Sequence, residues 1–151
     1  MVWKPNVTVA AVLERDGRFL LVEEETEYGV CYNQPAGHLE CGESLIDAVV
    51  RETLEETAYT LAPQFLIGVY NYRNETRDVN YLRFAFGGEI TAHDSRRALD
   101  EGILAAHWLT LDEILIRQAQ HRSAMVLLCI EDWLIGRRYP LELLHQYTCA
   151  G

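Results

Sequence analysis

Glu52, Glu55 and Glu56 stand at positions i, i+3 and i+4 of a segment, residues 44–57, whose pattern predicts a helix. At helical geometry the three carboxylates fall within an arc of about 100°. Ile46, Val49, Val50, Thr53, Leu54 and Thr57 fill the adjoining arc, a surface suited to packing on a sheet. Ser44 with Asp47 three residues later matches a capping box at the helix start. Each like-charged pair at this spacing costs about 0.2–0.5 kcal/mol. The helix dipole also disfavours anions near the C-terminal end. A solvated acidic face gives no reason to accept both penalties. A divalent cation does, because hard cations take carboxylate oxygens as ligands. Gly37 and Gly42 leave the preceding loop free to bring a backbone carbonyl to such an ion. Glu43 lies just before the cap, and Arg51 is placed to hold a neighbouring carboxylate in one orientation.

The run Gly37-x5-Glu43-x7-Arg51-Glu52-x-x-Glu55-Glu56 resembles the Nudix box, the signature of the Nudix hydrolases, over residues 37–59. Fragments outside the box, including Trp3-Lys4-Pro5, Asn33 to Glu40, Leu82-Arg83-Phe84 and Arg138 to Glu142, resemble the NudJ phosphatase branch of that family. The resemblance implies an α+β fold, an α/β/α sandwich in which a mixed β-sheet is flanked by helices. It implies hydrolysis of nucleoside diphosphates linked to another moiety, with Mg2+ or Mn2+. Carried over by position, Glu52, Glu55 and Glu56 are metal ligands aided by the Gly37 carbonyl, while Glu43 and Arg51 hold the loop and the catalytic glutamates. One of these glutamates, or one elsewhere, activates the attacking water. The branch implies nucleoside di- and triphosphates or thiamine-related pyrophosphates, such as hydroxymethylpyrimidine diphosphate, as substrates. Two positions depart from the pattern: Ala58 stands where the family has Gly, and Thr53 where it has an aliphatic residue. Ala enters the left-handed conformation at a cost of roughly 1–2 kcal/mol. The helix is therefore expected to run on through Ala58-Tyr59 or to end in a different turn.

Outside the box, the family's habit of recruiting one more carboxylate from a late loop points to Glu101 or Asp100. Arg73, Arg77 and Arg83 are candidates for phosphate contacts, and Tyr28, Tyr32, Tyr70, Tyr72 and Tyr81 for stacking on a base or pyrimidine. Of these, Arg73, Arg83, Tyr32 and Tyr72 are carried forward as substrate-binding candidates. His38 reads as a loop histidine, and Glu23-Glu24-Glu25 as a strand end running into solvent.

The elements that must position these groups follow from periodicity. Val7–Leu13 and Phe19–Val22 read as strands joined at Asp16-Gly17, a hairpin signal. A loop is expected from the acidic run through Gly29 to Gly37. Strands are expected at 65–72 and 81–90 around the turn Arg73–Asp78, then a short one at 105–109. The remainder, including 124–135, is expected to be helical until Pro140. No repeat or linker divides the chain, so residues 1–151 are expected to form one domain.

Charge bounds the partners. The chain of 151 residues carries 13 basic and 23 acidic side chains, for a formal charge of −10. Ten of the acidic residues lie between Glu23 and Glu56, where Arg51 is the only base. Such a chain suits a small phosphorylated substrate and not a nucleic-acid polymer, which wants a basic face. No apolar run approaches the roughly 20 residues of a membrane-spanning helix. The N-terminal residues show no basic stretch followed by an apolar one, so a cytoplasmic location is expected. The four cysteines have no metal-site spacing and are expected to be reduced. Exposed apolar faces in the C-terminal helices fit either a monomer or a homodimer. The alternatives are a hydrolase for ADP-ribose or a dinucleoside polyphosphate, and a non-catalytic nucleotide-sensing module of the same fold.

Overall fold

Two four-stranded sheets share their cores with helices on either side in the computed structural model, which describes residues 2–150. The strands are β1 (Asn6–Ala11), β2 (Glu14–Arg15), β3 (Arg18–Thr26), β4 (Gly29–Asn33), β5 (Ala36–His38), β6 (Tyr59–Asn74), β7 (Val79–His93) and β8 (Ile103–Thr110). The helices are α1 (Leu45–Thr57), α2 (Leu111–Ile116) and α3 (Met125–Leu134), with short 3-10 turns at Gln118–Gln120 and Leu141–Leu143. The first sheet runs β5-β1-β7-β6; β1 and β7 are parallel and the other pairs antiparallel, so the sheet is mixed as expected. In the second sheet β3 pairs with β8 along its length and with β2 and β4 at its two ends.

Alternation along β1 and β7 makes the sandwich. Val9, Ala11, Leu13 and Phe86 pack with Ala48 and Val49 of α1, whereas Val12 and Ala85 pack with Val126, Cys129 and Ile130 of α3. The Asp16-Gly17 turn has positive φ at both residues, 52° and 76°, the twist a two-residue hairpin needs.

Four expectations are corrected. Residues 23–37 are not a loop: the acidic run continues β3, and β4 and β5 follow it. Its partners come from far away: Glu24 forms an ion pair with Arg122 at 2.6 Å, and Glu23 lies 2.7 Å from His107 Nε2, contacts invisible in the local sequence. β6 and β7 are longer than expected, because hairpin pairing carries them through Arg73 to Asn74 and on from Val79. The C-terminal region is less helical than expected: α3 ends at Leu134, and Gly136 follows with φ of 86°. Finally, α1 neither runs on through Ala58 nor ends in a different turn. Ala58 takes the left-handed conformation at φ 62°, its N–H donating to Leu54 O at 2.9 Å and its carbonyl accepting from Asp94 N at 3.0 Å. Those tertiary bonds hold a conformation that propensity alone resists. At the other end, Ser44 caps the helix by accepting from Asp47 N at 3.0 Å.

Candidate active site

The rotation of α1 is fixed from within. Ala48, Val49 and Thr53 are fully buried, and the Thr53 hydroxyl is satisfied by donating to Val49 O at 2.7 Å. Thr is thus accommodated at this packed position with its hydroxyl satisfied. With that face inward, Glu56 and Glu52 meet strand β5 at Ala36 and Gly37, and Glu55 turns to Arg51.

Each meets a different environment there. Glu56 is 8% exposed, and its Oε1 accepts from Ala36 N at 2.7 Å. Burial pushes its carboxyl up to about 8, opposed by the Ala36 bond and reinforced by the negative fields of Glu52, Glu24 and Asp100. Glu52 lies against Gly37 so closely that a Cβ on Gly37 would collide with its whole carboxyl group. Burial also raises Glu52, although Arg51 pulls the other way. Glu55 accepts from Arg51 at 3.1 Å through its side chain and from Asp100 N at 2.9 Å through its carbonyl.

Arg51 organises the loop. Its Nη2 and Nε donate to the two oxygens of Glu43 at 2.7 and 2.9 Å, a bidentate pair. Nη1 donates to Glu52 at 2.8 Å as well as to Glu55, and Nη2 reaches His38 O at 3.0 Å. The guanidinium beside Glu43 holds that carboxyl below the usual range, and Glu43 in turn accepts from Glu40 N at 2.9 Å.

Among the described residues, no three ligating side chains converge on one point, because Glu52 and Glu55 are turned to Arg51. The donor set nevertheless suits a hard divalent cation. It consists of oxygens alone, and burial leaves Glu56 wanting a compensating charge.

Beside this edge a cavity of about 260 Å³ is lined by Gly37, His38, Tyr72, Tyr81, Arg83 and Arg122, among others. Tyr72 and Tyr81 are near-parallel, with ring centroids 6.4 Å apart. The other two substrate-binding candidates are not on its wall. Arg73 is taken up at the β6–β7 tip by Asp78 and by Asn80 at 2.9 Å. Tyr32 packs beside His107 and under Arg117, whose guanidinium lies 5.7 Å from its ring. Glu101 is exposed; Asp100 is the residue of that loop tied to α1 and felt by Glu52 and Glu56. Glu24, expected in solvent, borders the cavity and bears on Glu56. Its partner Arg122, and Asn33, also line the cavity; Arg122 belongs to no local pattern, and the run from Asn33 to Glu40 does not by itself mark Asn33 as a site residue.

Three comparisons bear on this arrangement. The model of the NUDIX domain matches residues 3–129. The phosphatase NudJ of Escherichia coli (strain K12) is 36% identical over 146 residues, which is 97% of this chain and 94% of that one. NudJ of Shigella boydii matches to the same extent. Among solved structures, a NUDIX hydrolase from Nitrosomonas europaea superposes with a TM-score of 0.93 at 50% identity, covering 95% of this chain and 98% of that one. A bifunctional NMN adenylyltransferase/ADP ribose pyrophosphatase from Francisella tularensis, complexed with AMP and a Mn ion, has a TM-score of 0.70 at 20% identity. It covers 87% of this chain and 42% of that one, a likeness of fold alone.

Proposed function

Because the chain belongs to the Nudix hydrolase family and is a pyrophosphohydrolase by that kinship, we propose that it acts on small diphosphates with Mg2+ or Mn2+. The substrates we assign are nucleoside di- and triphosphates or thiamine-related pyrophosphates such as hydroxymethylpyrimidine diphosphate. The observation that carries this reading is one edge of α1. There Glu52 is laid on Gly37 and Glu56 is bonded to Ala36, beside a cavity bordered by arginines and paired tyrosines.

Glu52, Glu55, Glu56 and the Gly37 carbonyl would hold the cation, which when bound lowers the pKa of water and offsets charge on phosphoryl oxygens. The chain's own groups do the rest. Arg51 and Glu43 fix the loop and the carboxylates against each other. Water attacks phosphorus in line; the new P–O bond forms as the anhydride P–O bond breaks, and the leaving phosphate keeps the electron pair. The proton of that water passes to a carboxylate at this edge. Tyr72 and Tyr81 offer stacking surfaces to the organic part of the substrate.

The test compares kcat/KM across nucleoside triphosphates, ADP-ribose, dinucleoside polyphosphates and hydroxymethylpyrimidine diphosphate, each with Mg2+, Mn2+ or EDTA. Turnover of the first or last class, lost in EDTA, supports the reading. A strong preference for ADP-ribose defeats the substrate assignment. No turnover of any compound with either metal defeats catalysis and leaves a sensing module.

A further inference from the structure

Arg83 is 7% exposed and lines the cavity. Its guanidinium donates to Gln34 Oε1 at 2.9 Å and to Asn33 Oδ1 at 3.0 Å, and lies 3.7 Å from Cys129 Sγ. None of these is a counterion. Gln34 and Asn33 are amides, and burial pushes the Cys129 thiol up, which keeps it protonated. Among the described residues no carboxylate pairs with Arg83, whereas Arg51, Arg73, Arg77 and Arg122 each have one. A buried charge without an opposite charge is costly to keep.

The amide cradle is itself fixed. Gln34 is fully buried, and its Nε2 donates to Val126 O at 2.7 Å, which turns its Oε1 to the guanidinium. Arginine carries five N–H donors, so the two amide bonds and the weak bond to Cys129 Sγ leave two for a ligand. Strand register gives its place. Arg83 on β7 is level with Thr8 on β1, and Thr8 with His38 on β5, the neighbour of Gly37. All three line the cavity. Two strand spacings are roughly 10 Å, a span that an arginine side chain and one phosphate can together cover.

We propose that Arg83 binds the phosphoryl group of the substrate that is not attacked, so that the ligand supplies the counterion the protein withholds. This rests on the diphosphate reading above, and it assigns to Arg83 a binding role separate from the carboxylate edge.

The probe is methylenediphosphonate, which has no organic base and resists hydrolysis, titrated calorimetrically in EDTA against wild type, Arg83→Gln, Asn33→Asp and Glu56→Gln. The wild type and Glu56→Gln are expected to bind it. Arg83→Gln should weaken binding by about thirtyfold or more, the loss typical of breaking a desolvated charge pair. Asn33→Asp places a carboxylate where Oδ1 already accepts from Arg83. It should raise the Tm of the ligand-free protein and weaken diphosphonate binding, and it keeps the test if Arg83→Gln does not fold. Unchanged binding in Asn33→Asp, or no binding to wild type in EDTA, overturns the proposal. So does a loss in Arg83→Gln of affinity for an unphosphorylated pyrimidine nucleoside but not for the diphosphonate. If the wild type binds the probe yet turns over no diphosphate, the catalytic reading fails and Arg83 keeps only its role in binding a diphosphate.

Discussion

The α-carbon of Gly37 lies against the carboxyl group of Glu52, with no room between them for a methyl group. Gly37 sits in strand β5, paired with Val9, and its conformation is one that alanine adopts freely. Gly37→Ala is therefore expected to fold and to push Glu52 aside. A displacement of this kind lowers kcat on the order of a hundredfold. Gly42 is the opposite case: its φ is 82° and no atom lies near its missing Cβ. Gly42→Ala should cost about 1 kcal/mol of stability and leave kcat intact. Steady-state rates and urea unfolding of the two variants check the contrast.

Replacing Arg51 by Lys keeps the charge but loses the fork that joins Glu43, Glu52, Glu55 and the His38 carbonyl. The expected result is a fall in kcat with a smaller change in KM, because the side chain orients carboxylates and does not line the cavity. An unchanged kcat would remove Arg51 from any positioning role.

Glu56 gives the pH dependence its sign. Its carboxyl is raised from 4.5 to about 8 in the folded chain, so between those values the folded state holds a proton that the unfolded state has released. Stability of the metal-free protein contributed by this group should fall as pH rises across that window. Glu56→Gln keeps an acceptor for Ala36 N and carries no charge. It should raise the metal-free Tm at pH 8 by several degrees, each kcal/mol being worth about 2–4 °C at this size. The same variant should lose activity by orders of magnitude. Added Mg2+ or Mn2+ should raise the Tm of wild type at pH 8 and that of Glu56→Gln much less. Thermal melts at pH 5 and pH 8, with and without metal, decide it.

Ala58 holds φ of 62° at the end of α1. Glycine removes the left-handed penalty of roughly 1–2 kcal/mol but adds unfolded-state entropy and loses a buried methyl. Ala58→Gly is expected to gain at most about 1 kcal/mol, read as a small rise in Tm with kcat unchanged.

The helix and its carboxylate edge were legible because their signals are local. A cap at Ser44, a stripe at i, i+3, i+4 and a lone Arg51 all lie within a few turns. The Asp16-Gly17 turn was legible for the same reason. What stayed hidden depends on partners distant in sequence. Glu24 read as a solvated charge until Arg122, on the loop before α3, supplied its mate. Strands β4 and β5 lack the long β-branched runs that announce a strand, and exist because β3 and β1 offer edges. Arginine chemistry also did not distinguish Arg73, spent on a hairpin tip, from Arg83, buried among amides. Ala58 shows the same limit in reverse, since a local penalty was outweighed by bonds to Leu54 and Asp94.

The parallel pairing of β1 with β7 constrains how the chain assembles during synthesis. Asn6 pairs with Tyr81 and Ala11 with Phe86, so the first strand made waits for one made more than halfway along the chain. Ribosomes add about 5–20 residues per second, so the nascent protein passes several seconds with β1 paired at most to β5. The glycine-bearing strand and the cap of α1 can therefore form early, while the sheet that seats them closes late. During that interval the carboxylates of α1 have Arg51 as their nearby cation. The same side chain that orders the finished site is thus available to quiet its repulsion before there is a site to order.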